Sequence, residues 1–341
     1  MRTITCTAPG KVILAGEHAV VHGFPAIASA IKMRMEMTMQ VLDKPVFELN
    51  LGDVGIALRA GTMDELLSKA AVEFPLFKAI YDSVLAEATD GHLKQDRMRN
   101  DQGFSITARS TIPVSAGLGS SAGTCVCFIK ILSLWLSIPL KEEQLLGLSK
   151  NAETLFHSTP SGIDTAAAIN GGIFLFEKGK ILEQIRNPIE LDGDLIIVDT
   201  AVQRNTGKMV DSVKALLARD PELVNGRFKA IDAIVRETWT LLKKQKVKVH
   251  DLGNLFLRNQ RELEAIGVSI PLIHDIIDTG TTHGATGGKL TGAGGGGCVI
   301  LTCPSRKTRT VMDALARKGL KAFKTEFSSD GLVASSKEGS S

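Results

Sequence analysis

The sequence has no large excess of charge of one sign and no long apolar run, and each absence excludes a class of protein. Its 40 basic and 37 acidic residues leave a formal net charge of +3 over 341 residues. Broad binding to nucleic acid or to a membrane surface needs a concentrated basic field, so neither partner is expected. No uninterrupted apolar stretch approaches the roughly 20 residues that span a bilayer, so membrane insertion is not expected either.

The sequence also lacks paired cysteine motifs. Its five cysteines are Cys6, Cys125, Cys127, Cys298 and Cys303. Their number is odd, none forms a C-x-x-C pair, and each lies in an apolar segment, so buried reduced thiols are predicted. A strand pattern begins at Thr3 without a preceding apolar signal region. Both observations predict a cytoplasmic protein.

What is present is the composition of a globular protein, with 44% apolar and 23% charged residues. The length exceeds one comfortable hydrophobic core, so two domains are expected. The order of predicted strands and helices indicates an α+β fold with a boundary near 188–194. The predicted division is a first domain at 1–190, a second at 191–330 and a disordered tail at 331–341.

Two N-terminal segments have strand patterns. Residues 3–15 predict two short strands that Pro9-Gly10 separates. Over 33–41, methionines and a final valine alternate with polar residues. A period of two places one face on a core and the other in water, so the methionine stripe is interpreted as core packing and not as a ligand surface.

A glycine-containing loop at 113–121 follows a predicted strand and opens a helix at Ser120-Ser121. Free amides and the positive end of a helix bind anions, and glycines let a phosphate approach the backbone. An ordinary turn with a serine cap explains the loop equally well. The Walker motif G-x-x-x-x-G-K-[ST] is absent from the sequence, so any phosphate loop here is of another kind.

A second glycine-rich stretch, 292–297, satisfies the pattern G-x-G-x-x-G. A dinucleotide-binding dehydrogenase needs a helix directly after these glycines. The strand pattern Cys298-Val299-Ile300-Leu301-Thr302 follows instead, which disfavours that function. A bare hairpin turn needs only two residues, so the stretch predicts close approach of a ligand or of another backbone.

The segment 8–23 contains Lys11 in an apolar strand pattern. A lysine in such a strand usually extends to solvent, but one that points into a cleft offers a charge to a phosphate or a developing oxyanion. His18 and His22 are four residues apart, which suggests zinc. The glutamate that should follow the first histidine and a third ligand are both missing, so zinc is disfavoured.

The run 153–164 holds Glu153 and Asp164 on either side of a predicted helix break. Ser161 and Asp164 are three residues apart and share one face of the first turn of the next helix. Taken alone, Asp164 fits a residue that stabilises the helix dipole, and Glu153 fits a solvated helix position. Phosphoryl transfer suggests another role for both carboxylates. It requires Mg²⁺ held by a small number of hard oxygen ligands, and a carboxylate that orients the attacking hydroxyl group.

Together these segments resemble the superfamily of galactokinases, homoserine kinases, mevalonate kinases and phosphomevalonate kinases. Its three signatures appear in order, at 8–23, at 113–123 and at 289–298. Within the superfamily, P-G-K-V-I-L-A-G-E-H-A-V-V-H-G at 9–23 is similar to the mevalonate kinase branch. The sequences P-S-G-I-D at 160–164 and R-N-T-G-K at 204–208 are similar to it as well.

The resemblance implies an N-terminal domain like domain 2 of ribosomal protein S5, a ferredoxin-like C-terminal domain and an active site in the cleft between them. The implied reaction is transfer of the ATP γ-phosphoryl group to the 5-hydroxyl group of mevalonate, with Mg²⁺, in isoprenoid and sterol precursor biosynthesis. A homodimer is implied too. The alternatives are a sister kinase for phosphomevalonate or another small alcohol, and a non-catalytic ligand sensor on the same fold.

Specific residues inherit roles from the resemblance. Asp164 would be the catalytic base, with Lys11 near the substrate hydroxyl group. The Mg²⁺ ligands would be Ser121 and Glu153. The substrate side would comprise Lys11, Glu17, His18, Ser161 and Thr206. The nucleotide phosphates would contact Ser115, Ala116, Gly117, Leu118, Gly119, Ser120 and Ser121. One departure is Ser115, which stands where these kinases commonly have glycine.

Overall fold

Two main β-sheets organise the chain in the computed structural model, which describes residues 2–52, 55–88, 102–113, 117–156, 162–203 and 205–338. The strands of these ranges are β1 (Arg2–Ala15), β2 (Ala26–Leu42), β3 (Phe47–Leu51), β4 (Ile56–Ala60), β5 (Gly103–Ser110), β6 (Ile173–Glu177), β7 (Lys180–Ile185), β8 (Glu190–Leu191), β9 (Asp194–Asp199), β10 (Lys246–Val247), β11 (Gly287–Thr291), β12 (Cys298–Cys303), β13 (Lys321–Thr325) and β14 (Val333–Glu338). The α-helices of the same ranges are α1 (Met63–Glu73), α2 (Pro75–Ala86), α3 (Ser120–Trp135), α4 (Glu142–Glu153), α5 (Ile163–Asn170), α6 (Thr206–Arg219), α7 (Pro221–Leu242), α8 (Val249–Ala265), α9 (Pro271–Thr282) and α10 (Ser305–Arg317).

The first sheet has the order β14-β1-β2-β5-β3-β4, and β6 pairs with the opposite end of β2 and with β7. Helices α3 and α5 pack against β1 and β2. The alternation at 33–41 is confirmed: the methionines of β2 are buried, while the residues between them are exposed or half-buried. The methionine stripe is therefore core, because a pleated strand turns every second side chain to the same face.

Strand β1 is continuous, so the prediction of two short strands over 3–15 is wrong. The chain passes through Pro9-Gly10 with a shift in its register against β2. Pairing with β14 ends at Thr7, so the missing N–H of Pro9 breaks no bond on that side. A register shift and an unpaired edge are the two settings in which a sheet tolerates proline.

The second sheet has the antiparallel order β11-β12-β9-β13. This is the strand order of a ferredoxin-like unit, as expected for the C-terminal half. Helices α8, α9 and α10 pack on its strands. The two sheets together confirm the predicted α+β class.

The last strand returns to the first sheet. Residues 333–338 pair with Arg2–Thr7 of β1, so the disordered tail predicted for 331–341 is wrong over Val333–Glu338. The Arg34 guanidinium donates to the carbonyl oxygens of Gly331, at 2.6 Å, and Thr7, at 3.1 Å, which holds the returning segment. The predicted boundary at 190–191 falls between β7 of the first sheet and β9 of the second, and it stays a prediction.

All five cysteines are buried and free, as predicted. Burial raises the pKa of Cys6 to about 12. Within the described ranges, no helix has both the length and the apolar character that a membrane crossing requires.

Candidate active site

An ion pair between Lys11 and Asp164 lies at the centre of the site. Lys11 belongs to β1, and Asp164 is the second residue of α5. The Lys11 Nζ atom is 3.1 Å from Asp164 Oδ1. The Lys11 side chain is 4% exposed and that of Asp164 is 23% exposed, so the carboxylate is open to a ligand while the ammonium group is enclosed.

The glycine-containing loop and the start of α3 lie against this pair. The backbone N–H of Lys11 donates to the Leu118 carbonyl oxygen at 2.8 Å. Gly119 caps α3 with a φ of 82°, and a Cβ atom there would be 3.2 Å from Lys11 Cγ and 3.9 Å from Asp164 Cβ. A glycine at this position therefore lets the helix N-terminus approach the ion pair.

The described part of the loop has the features of an anion site. Ser120 and Ser121 open α3 and are half-buried, and the first turn of a helix leaves backbone N–H groups without partners inside the helix. Ser115 and Ala116 lie outside the described residues.

Glu153 is the last residue of α4 and is buried. The Thr165 hydroxyl group, next to Asp164 in α5, donates to Glu153 Oε2. Burial, with a smaller contribution from the Asp164 carboxylate, raises the pKa of Glu153 to about 7. Burial and a second carboxylate nearby both disfavour the ionised form of Glu153. A bound cation would stabilise that ionised form.

His18 and Glu17 follow β1 and are both buried. His18 Nε2 is 2.8 Å from the carbonyl oxygen of Ala293, and burial lowers the pKa of His18. A neutral ring that donates through Nε2 keeps a lone pair on Nδ1, and Nδ1 is buried without a hydrogen-bond partner among the described residues. The backbone of His18 has a φ of 59°, which is strained for a non-glycine residue.

The turn at 292–297 approaches other backbone segments, one of the two outcomes that its glycine content predicts. The Gly295 N–H donates to the Val268 carbonyl oxygen at 2.9 Å, and the Gly297 N–H donates to that of Val202 at 3.1 Å. A Cβ atom at Gly296 would lie 2.5 Å from the Val202 oxygen. The strand that follows, β12, confirms that this is not a dinucleotide-binding motif.

Two further residues of the predicted substrate side have different outcomes. Thr206 is exposed and begins α6, whose Met209 packs against Gly295 of the glycine turn. Residues three apart share a helix face, so Thr206 is on the same face of α6 as Met209. Its role stays a prediction. Ser161 lies outside the described residues.

Three residues that contact predicted site residues were not predicted from the sequence: Thr165, Asn259 and Lys289. Lys289 precedes the glycine turn in a strand of apolar and glycine residues, which is the same pattern that singled out Lys11. Thr165 had a signal only in its position next to Asp164. Asn259 had none, because its partner, Glu17, lies 242 residues away.

Comparisons with known proteins agree with this geometry. The family models described as "GHMP kinases N terminal domain" and "GHMP kinases C terminal" match residues 77–172 and 230–321. The mevalonate kinase of Pyrococcus horikoshii is 32% identical over 337 residues, which cover 97% of this chain and 98% of that kinase.

Two solved structures are similar over almost the whole chain. The Methanococcus jannaschii mevalonate kinase has a TM-score of 0.79 and 27% identity, and the match covers 95% of this chain and 98% of that one. The L. major mevalonate kinase in complex with R-mevalonate has a TM-score of 0.75 and 25% identity, over 94% of this chain and 95% of that one.

Proposed function

Because the chain belongs to the mevalonate kinase family of the GHMP kinases, we propose that it transfers the γ-phosphoryl group of ATP to the 5-hydroxyl group of mevalonate. The products are 5-phosphomevalonate and ADP. The observation that carries the proposal is the Lys11–Asp164 ion pair beside the N-terminus of α3. It brings a carboxylate, a cation and a phosphate-binding helix end to one place.

Asp164 acts as the base. The substrate oxygen attacks the γ-phosphorus, its proton passes to an Asp164 carboxylate oxygen, and the bond from phosphorus to the ADP oxygen breaks. An alcohol is far too weak an acid for an aspartate to deprotonate fully beforehand. Asp164 therefore orients the hydroxyl group and accepts its proton as the phosphorus is attacked.

Lys11 holds Asp164 in place and offsets negative charge on the attacking oxygen. Its enclosed position makes that charge effective, since electrostatic attraction is stronger away from water. The amides of 117–121 and the dipole of α3 stabilise the phosphate oxygens. In a loose phosphoryl-transfer transition state, this electrostatic contribution is expected to dominate.

The residues present fit a magnesium ion. Among the described residues, no cluster of three or more histidine, cysteine, aspartate or glutamate side chains would hold a metal unaided. Glu153 and Ser121 supply hard oxygen donors, and Mg²⁺ commonly uses one or two carboxylates together with substrate phosphates. When bound, the ion would neutralise phosphate charge.

His18 is proposed to contact the alcohol substrate. Its buried Nδ1 atom has no hydrogen-bond partner among the described residues, and a donor such as a substrate hydroxyl group would satisfy it. Its strained backbone supports a functional role, because strain of this kind persists where the surrounding structure enforces it. Ser161 and Thr206 complete the proposed substrate side on the resemblance alone.

Two further parts of the proposal concern the cellular setting. Five free, buried cysteines support a reducing compartment, and hence the cytoplasm. The homodimer rests on family resemblance alone. Analytical ultracentrifugation tests it directly, and a monomer at micromolar concentration would refute it.

The decisive experiment is an ADP-release assay with mevalonate, phosphomevalonate, homoserine and galactose as acceptors. Mevalonate is expected to give the highest kcat/KM. A preference for phosphomevalonate or another alcohol would indicate a sister kinase. ATP binding without phosphorylation of any acceptor would indicate a sensor, and either result would refute the proposal.

A further inference from the structure

Lys289 is buried in β11 and has no part in the mechanism above. Its ammonium group has three acceptors: Glu17 Oε1, the Leu290 carbonyl oxygen at 2.6 Å and the Ile13 carbonyl oxygen at 3.2 Å. An ammonium group has three N–H donors, so each of them has a partner. Burial lowers the pKa of Lys289, and the Glu17 carboxylate opposes that shift.

The partners of Lys289 come from both halves of the molecule. Glu17 lies two residues beyond the end of β1 of the first sheet, whereas Lys289 belongs to β11 of the second sheet. The remaining carboxylate oxygen of Glu17 accepts from Asn259 Nδ2 of α8 at 3.0 Å. These three side chains, Glu17, Lys289 and Asn259, are named the interdomain clamp.

The clamp lies next to a second link between the same strands. The Thr291 hydroxyl oxygen is 2.8 Å from the Ile13 backbone nitrogen, from which it accepts, and 3.2 Å from the Ile13 carbonyl oxygen. Ile13 is two residues from Lys11 on β1, so their side chains lie on the same face of the strand. The position of Lys11 therefore depends on how β1 is held against β11.

Stability alone does not explain the clamp. A fully buried ion pair recovers little more than the cost of removing its charges from water, and apolar residues of similar size are often equally stable. Asn259 also keeps a buried Oδ1 atom without a hydrogen-bond partner among the described residues, and such an atom is destabilising. What the clamp supplies is directional contacts that fix one strand against another.

We propose that Lys289 is a positioning residue which, through Glu17 and Asn259, holds β1 so that Lys11 meets Asp164. Glu17 then serves the site through Lys289 and does not contact the substrate. The kinetic consequences rest on the proposed kinase function, whereas the structural consequence, a fixed β1–β11 link, does not.

The primary variant is Lys289→Met, which keeps an unbranched side chain as far as Cε and removes the ammonium group. At saturating ATP and mevalonate, kcat is expected to fall about 10- to 100-fold, because displacing a reacting group by roughly 1 Å costs a rate of that order. The KM for ATP should change far less. Asn259→Ala, which removes one hydrogen bond to Glu17, should also lower kcat. This variant replaces Lys289→Met as the test if Lys289→Met does not fold.

Thr308→Val is the matched control for lost stability. Thr308 donates to the buried Asp194 carboxylate at 2.6 Å, so its loss also disturbs a buried polar group. Asp194 is at the opposite end of β9 from Asp199, which pairs with Cys298 beside the glycine turn. That separation is about 17 Å along the strand. The control should lower the melting temperature and leave kcat unchanged.

A double-mutant cycle tests whether Lys289 acts through Lys11. In a Lys11→Met background, Lys289→Met should cause little further loss of kcat. Two outcomes would overturn the proposal. The first is that the losses of kcat in the two single variants multiply in the double variant. The second is that the loss of kcat in Lys289→Met and Asn259→Ala is explained by their lower melting temperatures, with Thr308→Val losing kcat to the same extent.

Hydrogen exchange separates this proposal from the kinase function. The Ile13 amide, which donates to Thr291, should exchange faster in Lys289→Met than in wild type and Thr308→Val. Unchanged exchange in an active kinase would refute the clamp alone. Faster exchange in a chain that phosphorylates no acceptor would support the β1–β11 link and refute the kinase function.

Discussion

Two carboxylates of the site, Asp164 and Glu153, have opposite surroundings. Asp164 is partly open and faces Lys11, whereas Glu153 is buried and accepts a hydrogen bond from Thr165. Different surroundings let two groups of the same chemistry take different roles, which is common among catalytic carboxylate pairs. Substitution of each should therefore change a different measurement.

Asp164→Asn should lower kcat by about 10²- to 10⁴-fold, the usual contribution of a positioned base. The nucleotide does not require this carboxylate for binding, so ATP affinity measured by calorimetry should stay close to that of wild type. Asp211→Asn, on the exposed face of α6, is the control for loss of one negative charge. Near-normal turnover of Asp164→Asn would remove Asp164 from the role of base.

Glu153→Gln should raise the Mg²⁺ concentration needed for half-maximal activity. The amide keeps the size of the side chain and can still accept from Thr165, but it supplies no charge to a cation. A magnesium titration at fixed ATP measures the effect. A titration that superimposes on the wild-type curve would exclude Glu153 as a ligand.

The elements of the site meet at one narrow contact, where α3 begins against β1. Gly119 is the residue that makes this contact, with a positive φ and with Lys11 directly beside it. The same helix start is the proposed source of free amides for phosphate. In the proposed mechanism, phosphate binding and the position of Lys11 are therefore coupled through one backbone position.

Gly119→Ala should destabilise the protein by about 1–2 kcal/mol, because the left-handed conformation is costly for a residue with a Cβ atom. It should also lower kcat, since the new Cβ would displace Lys11. Gly147→Ala is the control, because Gly147 is exposed within α4 and a Cβ there meets nothing. That variant should gain about 0.5–1 kcal/mol in a denaturant melt and keep full activity. Equal behaviour of the two variants would contradict the proposed contact.

At the scale of the whole molecule, the last strand, β14, returns the chain to the first sheet. The chain leaves the first sheet after β7, builds the second sheet and returns as β14 to pair with the first residues of β1. Strand β1 is therefore held by β14 at its start and, near its end, by the interdomain clamp, which links it to β11 of the second sheet. Lys11 lies between these two attachments.

Truncation of the chain after Leu332 should lower the melting temperature, since it removes β14 and leaves one edge of β1 unpaired. Truncation after Glu338 removes only three residues and should have little effect on the melting temperature. Turnover well below the melting temperature should be nearly unchanged in both, because β14 pairs with residues 2–7 and not with Lys11. A melting temperature that is the same for both truncations would show that β14 adds no stability.

Sequence by itself determined the features that short spacing encodes. Periodicity predicted the buried methionine face of β2, and a local motif predicted the glycine-containing loop that opens α3. The family resemblance singled out Lys11 and Asp164, and the structure shows that they form an ion pair. The fate of Pro9-Gly10 was predicted wrongly, because a register shift depends on the neighbouring strand and not on the residues themselves.

Only the tertiary structure decided which distant residues meet. Glu17 and Lys289 are 272 residues apart, and no local pattern relates them. The pairing of 333–338 with β1 likewise depends on a free sheet edge that topology creates, and polar, serine-rich residues give little sign of it. Contacts of this kind form when folding brings two distant surfaces together. A sequence pattern can predict which residues lie on a surface, but it does not predict which other surface they will contact.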